Sequence, residues 1–322
     1  MAGASTPRTT AIRRGPASAR TARPETGDRV LPFLTAAVLA VSACSPQPPT
    51  PAASPAAAAP GPVTIEVNQS RDQYGQHAIL LQLTNTTDVL LTVDLARVTS
   101  PLFNGDIAWT PQAGSLELPP HQPKSVPAQL PPPACADLAT ASPQASATVS
   151  FAAAGQQPAA LSLPAPDPFG VLPRNNSELC LAADAAKVAG LALDPHLEVA
   201  ADGRTAVVLL RISPQPTAPG GTPPLTLHSV GGTPLLAEAG PESGAEPWPR
   251  NVTVRTGETG TALALRVRPA RCDPHAVAED KVGTLLPLTV TVGTREGVLK
   301  VAAGGPLRAQ LYDFVTQACQ TG

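Results

Sequence analysis

Residues 91–103 read LTVDLARVTSPLF, and residues 225–236 read LTLHSVGGTPLL. Each begins as a run in which apolar and polar side chains alternate, the period of a strand with one face in a core. Each then closes on a polar residue, proline and leucine, the chemistry of a turn. Working outward, the two runs are followed in the same order by the same landmarks. Trp109 precedes Cys135 by 26 residues and Trp248 precedes Cys272 by 24. Alternating strands come next, ATVSF (147–151) and LTVTV (288–292), and then AALSL (159–163) and GVLKV (297–301). A shared order over this distance is the mark of a tandem repeat.

Further alternating runs complete each half: VTIEV (63–67), AILLQLT (78–84), HLEVA (196–200) and TAVVLLRI (205–212). Between Trp and Cys each half also holds an expected hairpin. SLEL and KSVPAQL flank PPHQP in the first, and NVTV and ALALRVR flank RTGETGT in the second. About seven strands in a little over a hundred residues resembles an immunoglobulin-like sandwich, although Trp precedes both cysteines of each half, unlike the Cys–Trp–Cys order of antibody domains. The expected fold is all-β, with two tandem immunoglobulin-like β-sandwich domains at 63–185 and 186–322. The final segment, PLRAQLYDFVTQAC, places Leu307, Leu311, Phe314, Val315 and Ala318 on one helical stripe, so a short C-terminal helix is expected. RNNSELCLAADAAKVAG either forms a corresponding helix or leads into the second domain.

At the other end, residues 30–43 are nearly all apolar, a run too short for the roughly 18–20 residues of a membrane span. They follow an arginine-rich region, the layout of an export signal. VSAC at 41–44 resembles the lipobox of bacterial lipoproteins, an aliphatic residue and two small residues before a cysteine. That resemblance implies a lipoprotein signal peptide over 1–43, lipid attachment at Cys44, and a protein held on the extracytoplasmic face of the cell membrane. Residues 44–62, Pro/Ala-rich and without charge or large apolar side chains, are expected to be a flexible tether.

With Cys44 set aside, four cysteines remain, an even number that favours disulfides in an exported chain. The separations of 45 and 47 residues point to Cys135–Cys180 and Cys272–Cys319. Each bridge would close a loop worth roughly 3–4 kcal/mol. Cys272-Asp273-Pro274-His275 also has C-x-x-H spacing, but no second ligand pair accompanies it, and no metal is expected.

Composition narrows the function classes. Forty prolines in 322 residues argue against a helical bundle, and 3% aromatic content leaves the cores to Leu, Val, Ile and Ala. Net charge is −2, with +4 on residues 1–43 and −6 on the remainder, so nucleic acid is not an expected partner. G-x-S-x-G, H-E-x-x-H, Walker and dinucleotide motifs are absent, and no catalytic residue or cofactor is expected. His275, Glu279 and Asp280 are the cluster a hydrolase would need to bring against polar groups of the other half. The expected function is binding of an envelope protein, a wall polymer or a small ligand. The alternatives are an envelope hydrolase or a structural or assembly factor.

Overall fold

The computed structural model describes residues 61–135, 144–217, 221–240 and 248–320. The signal segment, Cys44 and nearly all of the tether lie outside them.

The alternation seen in the sequence becomes two antiparallel sheets per half. In the first half β1 (Val63–Asn68), β2 (Ala78–Asn85) and β6 (Pro123–Gln129) form one sheet in the order β1-β2-β6. The facing sheet has the order β4-β3-β7-β8, made of β3 (Leu91–Thr99), β4 (Ile107–Trp109), β7 (Ser146–Ala153) and β8 (Ala159–Pro164), with β5 (Leu116–Leu118) also on β3. Ile65, Leu81, Val93, Val98 and Val149 fill the space between the sheets. Pro123 and Pro127 sit on β6, an edge strand, where proline is tolerated.

The second half repeats this plan. β9 (Ala189–Leu193), β10 (Glu198–Val199), β11 (Ala206–Pro214), β13 (Leu236–Glu238) and β15 (Thr261–Pro269) make one sheet. β12 (Leu225–Val230), β14 (Val252–Val254), β16 (Leu285–Val292) and β17 (Arg295–Ala302) make the other, in the order β14-β12-β16-β17. The correspondence extends to an irregularity. β3 slips register against β7 between Val93 and Leu95, and β12 slips against β16 between Leu227 and Ser229. Asp94 and His228 are the extra residues of two equivalent bulges. Each bulge resets the alternation, so that Leu91 and Val93 face inward before it and Ala96 and Val98 after it, as Leu225 and Leu227 do before Val230. The halves differ at one edge: β4 pairs with β3, whereas β13 pairs with β15, the constant-type arrangement.

Both expected hairpins are corrected. β5 pairs with β3 and β6 with β2; β14 pairs with β12 and β15 with β11. The segments between them are arches from one sheet to the other. Strands that pack face to face share the alternation of strands that pair, so local sequence does not separate the two cases. The tryptophans are also not equivalent. Trp109 ends β4, whereas Trp248 lies outside the strands and donates its indole N–H to the Arg266 carbonyl at 2.8 Å.

Helix α2 (Val171–Val188) joins the halves. Asp167 accepts from the backbone N–H groups of Val171 (2.7 Å) and Leu172 (2.8 Å), satisfying two of the free donors at its start. Val171 and Leu172 belong to the first core, and Leu181, Ala185 and Val188 to the second. The 185/186 boundary therefore falls inside this helix. Helix α4 (Gly305–Gln320) follows β17 as α2 follows β8, and buries Leu307, Leu311, Phe314, Val315 and Ala318 in the second core. Burial of each large apolar side chain there contributes about 1.5–3 kcal/mol. The bridges Cys135–Cys180 and Cys272–Cys319 each tie the stretch after an equivalent strand, β6 or β15, to the helix that ends the half.

Candidate functional site

Between Gln69 and Ala78 the chain makes a one-turn helix, α1 (Arg71–Tyr74), closed by reciprocal capping of Ser70 and Gln73. It brings Tyr74 to the junction of the halves. The Tyr74 ring faces Lys300 of β17, whose Nζ lies 4.8 Å from the ring centre, and Arg174 of α2 at 5.9 Å. Lys300 also contacts both carboxylate oxygens of Glu178 on α2, at 2.7 and 2.9 Å. Arg295 of β17 binds Asp184 at 3.0 Å and donates to the Cys135 carbonyl at 2.6 Å. These contacts hold the second sandwich against α2 and the first sandwich.

They also frame a cleft. Its larger part, about 540 Å³, runs between α2 and β17 and is walled by small and apolar side chains, among them Ala182, Ala186, Leu191, Leu285 and Val301. A second cavity of about 390 Å³ adjoins it, with Gly75, Leu285 and Ala302 lining both. The walls there are polar: Asp72, Gln76, Lys281, Thr284, Arg308 and Tyr312, with Asp280 beside them. Among the described residues no carboxylate lies within ion-pair distance of Lys281 or Arg308. Asp280, by contrast, is engaged: it accepts from the Gly283 N–H at 2.8 and 2.9 Å and from the Tyr312 hydroxyl at 2.9 Å. Burial, then the hydrogen bond and charge of Asp280, push the Tyr312 pKa up to about 12. Beyond α4, Val277, Val315 and the Cys272–Cys319 bridge line another groove of about 590 Å³.

Of the cluster singled out in sequence, only Asp280 reaches the cleft. His275 and Glu279 are exposed on the short helix α3 (Pro274–Ala278) and its end. The two Asp-Pro-His segments make the same turn: Asp194 accepts from the His196 N–H and Asp273 from the His275 N–H, each at 3.0 Å. In the second case the turn caps α3. Among the described residues no group of three His, Cys, Asp or Glu side chains is placed to hold a metal ion. No helix among them is long and apolar enough to cross a membrane. Tyr74, Lys281, Lys300, Arg308 and Tyr312 are the cleft residues that sequence reasoning missed. The Ser70-x-x-Gln73 capping box was the only local signal pointing toward any of them.

No family model and no curated protein sequence matches the chain. Solved structures superpose only loosely. Red sea bream transglutaminase is 9% identical, with 76% of this chain and 31% of that chain covered and a TM-score of 0.22. The YadV chaperone is 11% identical, with 74% and 98% covered and a TM-score of 0.20. The exo-chitosanase CsxA of Amycolatopsis orientalis is 12% identical, with 74% and 26% covered and a TM-score of 0.20. The chain thus spans about a third of the transglutaminase, and none of these superpositions assigns an activity.

Proposed function

We propose that this chain is a lipid-anchored protein on the extracytoplasmic face of a bacterial cell membrane. It acts without catalysis, by binding an amphiphilic ligand with an acidic head in the cleft between its sandwiches. The observation that carries this reading is the adjacency of two cavities: the one walled by α2 and β17 shares Gly75, Leu285 and Ala302 with the one lined by Lys281 and Arg308, neither of which has a carboxylate partner among the described residues. An apolar tail along Ala182, Ala186 and Leu191 would lose water, and an acidic head would find two cations. Asp72 faces the same space and disfavours a second negative charge on the ligand. Export and anchoring rest on the VSAC segment and Cys44.

Two experiments test it. Labelled palmitate should enter the wild-type protein and be lost in Cys44→Ala; equal labelling of both removes the anchor. A dansylated fatty acid, titrated into the full chain, should bind saturably. Lys281→Glu with Arg308→Glu should weaken that binding roughly tenfold or more, the scale of charge-assisted contacts, and Ala186→Trp should block it. Binding unchanged by both sets of variants rules the cleft out.

A further inference from the structure

The point where the chain enters the first sandwich has its own construction. Strand β1 starts at Val63, opposite Asn85, and the next residue, Thr86, is tied to the incoming chain: its N–H donates to Pro62 O at 3.0 Å and its hydroxyl to Gly61 O at 2.6 Å. Asn85 is fully buried and organises the turn that follows. Its amide N–H₂ donates to the carbonyls of Val89 (2.7 Å) and Leu118 (2.8 Å), while its oxygen accepts from the N–H (2.9 Å) and hydroxyl (2.8 Å) of Thr87. His121 adds a bond from its N–H to the Asn85 carbonyl and reaches Asp88 through Nε2 at 2.9 Å. A buried amide with this many partners fixes its loop. Yet the two residues the loop displays are apolar: Val89 is 55% exposed and Leu90 42% exposed. The molecule spends hydrogen bonds on holding two aliphatic side chains in solvent.

What covers them follows from where the chain comes from. Sixteen residues, Ser45 to Pro60, separate Cys44 from Gly61. Covalent geometry limits the reach of sixteen residues to about 58 Å. Val89 and Leu90 stand at the end of the sandwich to which this tether attaches. We propose that this end is a membrane-contact face, and that Val89 and Leu90 enter the boundary between headgroups and acyl chains of the lipid surface that holds Cys44. The inference rests on the anchor reading and is independent of the cleft. Its energetic logic is that of a second signal: one weak apolar insertion adds to a covalent lipid and fixes the orientation that the tether alone leaves open.

The test uses the lipidated protein in phosphatidylcholine–phosphatidylglycerol vesicles containing brominated acyl chains. Leu90→Trp is compared with Val199→Trp, an exposed site on β10 at the far end of the second sandwich, each against the wild-type background of Trp109 and Trp248. Bromine should quench Trp at 90 and leave Trp at 199 unquenched. Equal quenching at the two sites overturns the proposal. A second arm separates it from the anchor. The full chain carrying Cys44→Ser is sedimented with the same vesicles, with and without Val89→Ser and Leu90→Ser. The serine pair should lower the partition coefficient roughly tenfold, the scale of removing one to two aliphatic side chains from an apolar environment. No difference overturns the face even where palmitate labelling upholds Cys44 as the anchor. Circular dichroism of the serine pair should match the parent, because neither side chain is in the core.

Discussion

Asp94 and His228 occupy the same place in two different sandwiches: each is the one unpaired residue at a register slip between equivalent strands. The pattern around them is the same, with two inward-facing residues before the bulge and the inward phase resumed three positions later. Removing a bulge residue should therefore leave the inward set intact. We expect the chain lacking Asp94 to fold, with a loss of about 1–2 kcal/mol for an altered strand twist and a repacked edge. Removing Arg97 instead turns Val98, which is fully buried, toward solvent. That variant should fail to give a cooperative thermal transition by circular dichroism. Similar melting of the two deletions would refute the equivalence of alternation and packing claimed for β3.

The two bridges should differ in access. Cys272 is exposed and Cys319 partly so, whereas Cys180 is completely buried. Graded reductant followed by alkylation and mass mapping should label 272 and 319 before 135 and 180. Replacing Cys135 and Cys180 together by serine should cost roughly 3–4 kcal/mol in denaturant unfolding, the chain-entropy value for a loop of this size.

Acid should act on the second sandwich through Asp194. Its carboxyl is held below the ordinary carboxylate range by the His196 backbone N–H first and by the Arg211 side chain next. A depressed native pKa contributes stability that is complete above the unfolded value near 3.8 and is lost as pH falls through the lower native value. Asp194→Asn should thus lower Tm at neutral pH and flatten its dependence below about pH 4. Parallel wild-type and variant curves through that window would refute the assignment.

Tyr312 gives the opposite sign at the alkaline end. A raised pKa means that its contribution is present below pH 10 and is lost as pH climbs toward about 12. The phenolate difference spectrum between wild type and Tyr312→Phe should appear only in that upper interval. A difference developing at or below pH 10 would show that the hydroxyl is not buried against Asp280.

Arg295 is expected to clamp the halves. Arg295→Ala removes both the Asp184 pair and the bond to the Cys135 carbonyl. Denaturant unfolding should then keep a single transition whose midpoint is lowered by the loss of about 1–3 kcal/mol, and an unchanged midpoint would assign the clamp elsewhere.

Alternation exposed nearly every strand in the sequence, because a strand with one face in a core must write that face every second residue. The helical stripe from Leu307 to Ala318 exposed α4 for the same reason. Pairing partners were less accessible: SLEL and KSVPAQL look like neighbours, yet they belong to opposite sheets. The cleft left almost no trace. Tyr74, Glu178, Lys281, Lys300 and Arg308 come from separate elements, and none stands in a motif. Their meeting depends on how two sandwiches seat on one helix, which is a property of tertiary packing. Val89 and Leu90 are apolar and adjoin β3, and nothing local says that Asn85 holds them outside it.

Helix α2 has a mechanical consequence. It is anchored at one end by Val171 and Leu172 and at the other by Leu181, Ala185 and Val188, in different cores. Eighteen residues make a strut about 27 Å long, stiff against bending. A hinge at the waist would require extracting apolar side chains from one end of it. Pulling on the second sandwich therefore loads the first as torque, with no slack between them, and the molecule should resist or yield as one body.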